Sequence, residues 1–152
     1  MIRDEIKAAL VAAMKSGDKA RTGTIRLVQS AIKNRDIELR SAAGASADDD
    51  ALVTEVLQKM VKQRRESIAL YQQGGRAELA AAEQAEVEVI EGFLPRQMSD
   101  DEAGAAIDAI VAETGAASVR DMGRVMAALR ERHAGEIDMS RASALVKARL
   151  SS

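Results

Sequence analysis

The segment SVRDMGRVMAALRERHAGEID, residues 118–138, combines four arginines, the only histidine of the chain and two glycines. The planar, permanently charged guanidinium of arginine binds phosphate oxygens, and a histidine can exchange protons near neutral pH. A glycine inside a helix lets a partner approach the backbone closely. The segment could therefore be an active site, a binding surface or simply a well-capped helix.

The residue types that enzymes use most are scarce here. His133 is the single histidine, so a histidine-rich metal site is excluded, and its position before Gly135 favours a structural or capping role at a helix end. The absence of cysteine excludes thiolate ligands and cysteine nucleophiles. The acidic clusters at 48–50 and 99–102 lie at predicted helix starts, where solvation does not separate carboxyl pKa values as a catalytic pair requires. No phosphate-binding glycine motif occurs. We predict no catalytic residue, no metal and no cofactor.

Charge is segregated along the chain although the net charge is only −2. Residues 1–40 hold 9 Lys and Arg against 5 Asp and Glu, whereas residues 77–102 hold 1 against 8. Such polarity can steer an anionic partner, but the same charges could equally be solvated helix faces. With one Tyr, one Phe and no Trp, base stacking is not expected, which leaves the backbone or shape of a structured RNA as the target.

Helical periodicity runs through nearly the whole sequence and predicts an all-α fold. Pro95 marks the boundary between a predicted N-terminal part of about four helices, residues 1–94, and a C-terminal three-helix bundle, residues 95–152. A loop of small residues is predicted over 41–50. The predicted helices cover about 2–16, 19–40, 51–73, 76–92, 99–114, 118–133 and 138–150. Asp18 and Ser99 are the predicted N-caps of two of them.

On a helical wheel, one stripe of the segment faces the core and the arginines lie opposite it or flank it. Gly123 lies beside the stripe, where it costs roughly 1 kcal/mol relative to alanine in a helix interior. This cost indicates a close approach by either a neighbouring helix or an RNA sugar–phosphate. Arg64 falls inside the apolar stripe of its own helix and must reach solvent or an acid. The candidate RNA-binding residues are Arg120, Gly123, Arg124, Arg130, Arg132, Lys59, Lys62 and Arg65.

Three stretches carry a family resemblance: TIRLVQSAIKNRDIE (24–38), the long run from VLQKMVKQRR to PRQMSDDE (56–102), and GAASVRDMGRVMAAL (115–129). Together they resemble the GatB/YqeY family, and the match covers essentially the whole chain in order. The resemblance implies a two-part helical fold whose C-terminal part is similar to the tail of the B subunit of a glutamine-dependent tRNA amidotransferase. That tail helps to hold tRNA, while the carbon–nitrogen ligase chemistry lies in segments that this chain lacks.

The tail-like motif corresponds here to Gly123, Val125, Met126, Gly135 and Asp138. After the second glycine the family usually has a basic and then a small residue. This chain instead has an acid and bulky residues there, which argues against a phosphate contact at that turn: Glu136, Ile137 and Met139.

Three hypotheses follow from the sequence. The first is a tRNA-binding accessory module without its own catalytic site. The second is a protein-interaction module that docks on an amidotransferase or synthetase subunit, which an exposed apolar patch around residues 93–98 would favour. The third is an independent amidotransferase, which lacks an evident nucleophile and base. Because the N-terminus resembles no signal peptide and no apolar run could span a bilayer, we expect a cytoplasmic protein without membrane contact. The oligomeric state stays open.

Overall fold

The computed structural model describes residues 1–40 and 49–151 and divides the chain into two compact units, Met1–Leu94 and Pro95–Ser152. Across these described ranges every regular element is helical, which confirms the all-α prediction. Of the predicted loop over 41–50, positions 41–48 lie outside the described residues. The α-helices are α1 (Ile2–Ser16), α2 (Lys19–Arg40), α3 (Asp49–Gln73), α4 (Ala77–Glu91), α5 (Asp100–Thr114), α6 (Met122–Arg132) and α7 (Met139–Leu150).

Local capping chemistry explains where the helices begin and end. Gly17 closes α1 in the left-handed conformation, with φ of 73°, which glycine adopts at no steric cost. The Asp18 carboxylate then accepts the Arg21 N–H at 3.0 Å, as expected of an N-cap. At α5, Ser99 and Glu102 form the predicted capping box, each side chain accepting the other residue's backbone N–H.

The third helix begins at Asp49, two residues before the predicted start. Its first two residues are acids at the positive end of the helix dipole, and both bind the beginning of α1. The Asp50 carboxylate accepts the Ile2 N–H at 3.0 Å, and Asp49 accepts the Arg3 guanidinium at 2.8 Å. These long-range bonds are the reason that the helix extends past the boundary drawn from local periodicity.

The Met1–Leu94 unit buries one apolar cluster among four helices. α3 packs most extensively on α4, and α1 packs on α2. Arg64 of α3 bonds to Glu86 of α4, which gives this inward-facing cation the acid that its position requires. The largest fully buried side chains in this unit are Ile6, Ile25, Val28, Val53, Leu57, Val87 and Ile90.

Arg3 joins the beginning of α1 to α2 as well as to α3. Its guanidinium donates to both oxygens of Asp36, at 2.7 and 2.9 Å, in addition to Asp49. Planar two-point pairs of this kind are the strong form of an arginine–carboxylate contact. The hydrogen bonds from Arg3 hold the pKa of the Asp36 carboxyl below its ordinary value.

Because the folded-state pKa of Asp36 is lowered, its pairing stabilises the fold at pH values above the ordinary aspartate pKa of about 4. This stabilisation is lost as the pH falls through the lowered pKa. We therefore expect Arg3→Gln to reduce the free energy of unfolding near neutral pH and to have progressively less effect in acid. Urea titrations followed by circular dichroism across this range measure the difference. Arg76→Gln, at an exposed cation that forms no ion pair within residues 1–40 and 49–151, is the control. A pH-independent effect of Arg3→Gln would contradict the role given to Asp36.

The Pro95–Ser152 unit is a three-helix bundle with its own apolar cluster. Arg141 of α7 pairs with Asp100 of α5, and Arg149 pairs with Asp108. Both pairs are separated by 41 residues in sequence, so α5 and α7 run parallel. The Arg149 guanidinium lies directly over Gly104, in the space that a Cβ would occupy. This glycine is therefore matched to a neighbouring helix, unlike Gly123.

The segment between the units does not expose its apolar side chains. Phe93 is buried, Leu94 packs against the first cluster and Met98 packs against the second. The Met98 N–H donates to the Glu136 carbonyl at 2.7 Å, and the Gln97 amide donates to the Gly135 carbonyl at 2.6 Å. The exposed patch that would favour the protein-docking hypothesis is thus not present in this segment.

None of the helices within residues 1–40 and 49–151 combines the length and the apolar content that a bilayer crossing needs.

Candidate nucleic-acid interface

A short 3₁₀ turn, Val119–Asp121, precedes α6, so the α-helix starts at Met122 and not at the predicted position 118. Ser118 still caps the turn, because its hydroxyl accepts the Arg120 N–H at 3.3 Å. The Asp121 carboxylate accepts the Ala117 N–H at 2.9 Å and the Ser118 N–H at 3.3 Å. These bonds tighten the chain into a 3₁₀ turn. The prediction had continued α6 back to Ser118, because helical periodicity alone does not reveal such a turn.

The inward side of α6 agrees with the helical wheel. Val125 and Leu129 are fully buried, and Met122 and Met126 pack against the same cluster. His133 ends the helix, where its Nδ1 lies 3.0 Å from the Glu136 carboxylate. The single histidine is thus engaged with a neighbouring acid in the turn after α6.

Gly123 lies in the first turn of α6 and is exposed to solvent. A Cβ added there would meet no atom within 4 Å among the described residues. The neighbouring-helix explanation for this glycine is therefore wrong. No contact within residues 1–40 and 49–151 offsets the conformational cost of this glycine.

The arginines around Gly123 differ in their partners. Arg124 pairs with Asp121 at 2.6 Å, and Arg132 pairs with Glu113 at 2.6 Å. By contrast, Arg120 and Arg130 are exposed and form no ion pair within residues 1–40 and 49–151. Two exposed guanidinium groups without an ion pair in these ranges therefore lie near Gly123 in sequence, Arg120 in the turn before α6 and Arg130 in its last turn.

The two acids that pair with these arginines were not identified as part of the site from the sequence. Backbone hydrogen bonding from Ala117, followed by the bond from Arg124, lowers the pKa of Asp121. The bond from Arg132 lowers the pKa of Glu113. The three-residue spacing of Asp121 and Arg124 was a usable signal. Glu113 lies on another helix, and only the packing of α5 on α6 brings it to Arg132. Exposed ion pairs of this kind are weak, so a phosphate can replace the carboxylate.

The remaining candidates, Lys59, Lys62 and Arg65, lie on α3 in the other unit. Arg65 pairs with Glu91 of α4. Lys59 borders a cleft of about 280 Å³ between α2 and α3, whose charged lining also includes Arg35, Glu38 and Glu55. Acids alternate with these cations, so the α3 group is a mixed-charge surface and not a continuous basic patch.

Other chemistry has little structural support in the part of the chain that is described. No three histidine or acidic side chains converge there as a metal site requires. One buried carboxylate oxygen, Oε2 of Glu83, has no hydrogen-bond partner. It lies one turn before Glu86 on α4, near the Arg64 pair.

A family model matches nearly the whole chain, and curated relatives match part of it. A family model described as "Yqey-like protein" matches residues 3–150. The chain is also similar to the protein named "Altered inheritance of mitochondria protein 41, mitochondrial" of Lachancea thermotolerans and Saccharomyces cerevisiae, each 35% identical over 89 residues. The match to each covers 59% of this chain and 46% of the relative, so the chain spans about half the length of the curated relatives it matches.

These relatives correct the predicted location. The cytoplasmic prediction is wrong, because the curated proteins that the chain matches carry a mitochondrial name. Proteins of several compartments lack cysteine and long apolar runs. Composition therefore could not distinguish one compartment from another.

Proposed function

Because the chain belongs to the Yqey-like protein family, we propose that it is an accessory module that binds tRNA through the exposed face of α6. The observation that carries this proposal is Gly123, an exposed helical glycine with open space beside it and no contact within residues 1–40 and 49–151 to explain it. The exposed cations Arg120 and Arg130, which form no ion pair within the described ranges, lie in the turn before α6 and in its last turn. Close backbone access beside positive charge suits a sugar–phosphate chain.

The C-terminal resemblance to the amidotransferase B-subunit tail supports tRNA as the RNA. In this proposal the chain contributes binding and positioning, and any amide transfer is performed by an associated glutamine-dependent amidotransferase. Arg124 and Arg132 join the interface by exchanging Asp121 and Glu113 for phosphate. We assign no catalytic residue to the chain.

The turn after α6 has a different role in this proposal. Ile137 is buried in the cluster of the Pro95–Ser152 unit, and Glu136 bonds to His133 and, through its carbonyl, to Met98. The residues that depart from the family pattern therefore hold the bundle together. We place the RNA on α6 and not on this turn.

The test is a fluorescence-anisotropy titration of total cellular tRNA at several salt concentrations. Each phosphate contact contributes to the salt dependence, so Arg120→Gln/Arg130→Gln should weaken binding and reduce the slope of log K against log salt by about 2. The variant Arg76→Gln/Lys147→Gln removes the same charge from exposed positions elsewhere and should bind as the parent does. Failure of the parent chain to bind tRNA at low salt would overturn the proposal and direct attention to a protein partner.

Gly123→Ala separates stability from binding in the same assay. Since the site is open, alanine should raise the free energy of unfolding. The full difference of about 1 kcal/mol applies to a helix interior, and the gain should be smaller here because Gly123 is near a helix end. The added methyl group should at the same time reduce affinity for tRNA. A variant that is more stable and binds equally well would show that nothing approaches the backbone at this point.

A further inference from the structure

A second basic surface runs along the solvent-facing side of α2, in the unit that does not contain α6. It consists of four exposed cations, Lys19, Arg26, Lys33 and Arg40. Their spacing of seven residues rotates each one by only about 20° from the last. The row therefore stays on one side of the helix over a length of about 31 Å. We refer to these four residues as the α2 row.

The α2 row has no acids within it. The helix contains two acids. Asp36 pairs with Arg3, and the charge of Arg40 also contributes to lowering the pKa of Asp36. Glu38 pairs with Arg35. Within residues 1–40 and 49–151, Lys19, Arg26 and Lys33 form no ion pair. This differs from α3, where Glu55 and Glu66 lie on the same helix as the lysines and Arg65, and where Arg65 pairs with Glu91 of α4. The α2 row therefore concentrates positive charge more cleanly than the surface predicted from the sequence.

Small residues lie between the cations and expose the helix backbone. Gly23 is a helical glycine with no atom within 4 Å of the position that its Cβ would occupy. Ser30 follows it by seven residues on the same side and is also exposed. As at Gly123, a helix-interior glycine costs roughly 1 kcal/mol relative to alanine, and no contact among the described residues offsets it. The backbone between Lys19 and Arg26 is therefore accessible from solvent.

We propose that the α2 row is a docking surface for the phosphate backbone of double-stranded RNA. A linear set of cations with reachable backbone between them matches a continuous line of phosphates. Duplex RNA is preferred to single strands because the row contains no aromatic side chain on which bases could stack. A membrane surface fits less well, since Ile37 is the only large apolar residue among these positions and interfacial helices insert a broad apolar face. The apolar face of α2 is instead buried in the unit's own core.

The experiment measures binding of the full chain to an RNA duplex of about 16 base pairs, a length that duplex-binding domains commonly span. The test variant replaces all four cations of the α2 row: Lys19→Gln, Arg26→Gln, Lys33→Gln and Arg40→Gln. Glutamine has nearly the helix propensity of lysine and arginine, so helix content measured by circular dichroism should be retained. The matched control removes the same charge from other exposed positions of this unit: Lys7→Gln, Lys15→Gln, Arg21→Gln and Arg76→Gln.

We expect the test variant to lose at least about ten-fold in affinity and to lower the salt slope by about 4, one for each phosphate contact. The affinity of the control variant should stay within about two-fold of that of the parent chain. This change is much smaller than the effect of losing four phosphate contacts. Equal losses in both variants would overturn the proposal, because total charge and not the row would then be responsible.

Two further probes separate other partners. If vesicles containing phosphatidylserine or poly-glutamate bind through the α2 row while the duplex does not, the surface serves a membrane or an acidic protein and the proposal is wrong. The result for the RNA duplex can also be distinguished from the result for tRNA. Arg120→Gln/Arg130→Gln tests α6 alone, so loss of tRNA binding there with normal duplex binding by the test variant would refute the α2 row and leave the α6 interface standing.

Discussion

Leu129→Ala is expected to unfold most of the Pro95–Ser152 unit. The Leu129 side chain has 0% exposure and lies in the middle of α6, against the cluster that α5 and α7 also line. Truncating a buried leucine to alanine costs about 2–5 kcal/mol through lost burial and the cavity that remains. A unit of this size is stabilised by only roughly 3–9 kcal/mol, so the loss is comparable with its whole stability.

Hydrogen exchange followed by mass spectrometry measures this effect helix by helix. Peptides from α5, α6 and α7 should lose protection in Leu129→Ala, while peptides from α1 to α4 should keep it, because the two units have separate apolar clusters. Val119→Ala, at an exposed apolar residue of the same unit, should leave all peptides unchanged. Retained protection in α5 to α7 of Leu129→Ala would show that the cluster repacks around the missing side chain.

Arg64→Met is expected to give the second-largest loss, by about 2 kcal/mol in the free energy of unfolding. The Arg64 side chain is only 16% exposed and donates to Glu86 at 2.9 Å. Removing it leaves that carboxylate without its partner, close to Glu83, one of whose oxygens is already buried and unpartnered. Breaking fully buried pairs costs about 3–5 kcal/mol. The expected value is smaller because Glu86 is one-third exposed.

The double variant Arg64→Met/Glu86→Leu tests the physical reason for this loss. Replacing both charges of a pair by apolar groups of similar size is often neutral or stabilising, so the double variant should recover most of what the single variant loses. Chemical denaturation of the four proteins of this cycle gives the coupling free energy. Additive losses would show that Arg64 stabilises the α3–α4 contact by packing of its alkyl chain and not by its charge.

The helices and their ends could be predicted from the sequence because they depend on neighbours within about four residues. Gly17, Asp18 and Ser99 each act on backbone groups of their own turn, so their roles are visible in the sequence. The predictions failed at two helix starts, one because of a distant contact and one because of a local turn. Asp49 joined α3 through bonds to α1, and Asp121 shortened α6 through a local 3₁₀ turn that the helical period does not distinguish from a helix.

The candidate interface was only partly predictable. The sequence identified Gly123 and the arginines around it, but for the close approach at the glycine it favoured a neighbouring helix over an RNA sugar–phosphate. It also selected Lys59 and Lys62 as candidates and no residue of the α2 row, because net charge along a segment does not show which cations share one exposed side. Helical position and burial together are needed to recognise that side.

By itself the sequence determined the helical class, the positions of the helices and their apolar faces, since each follows from residue type and short-range spacing. The tertiary structure alone decided which cations are neutralised. Arg132 meets Glu113, and Arg65 meets Glu91, only because separate helices pack together. Packing also places the Arg149 guanidinium against Gly104 and leaves Gly123 open to solvent. Contacts between helices depend on the summed packing of the whole core, and no local rule specifies them.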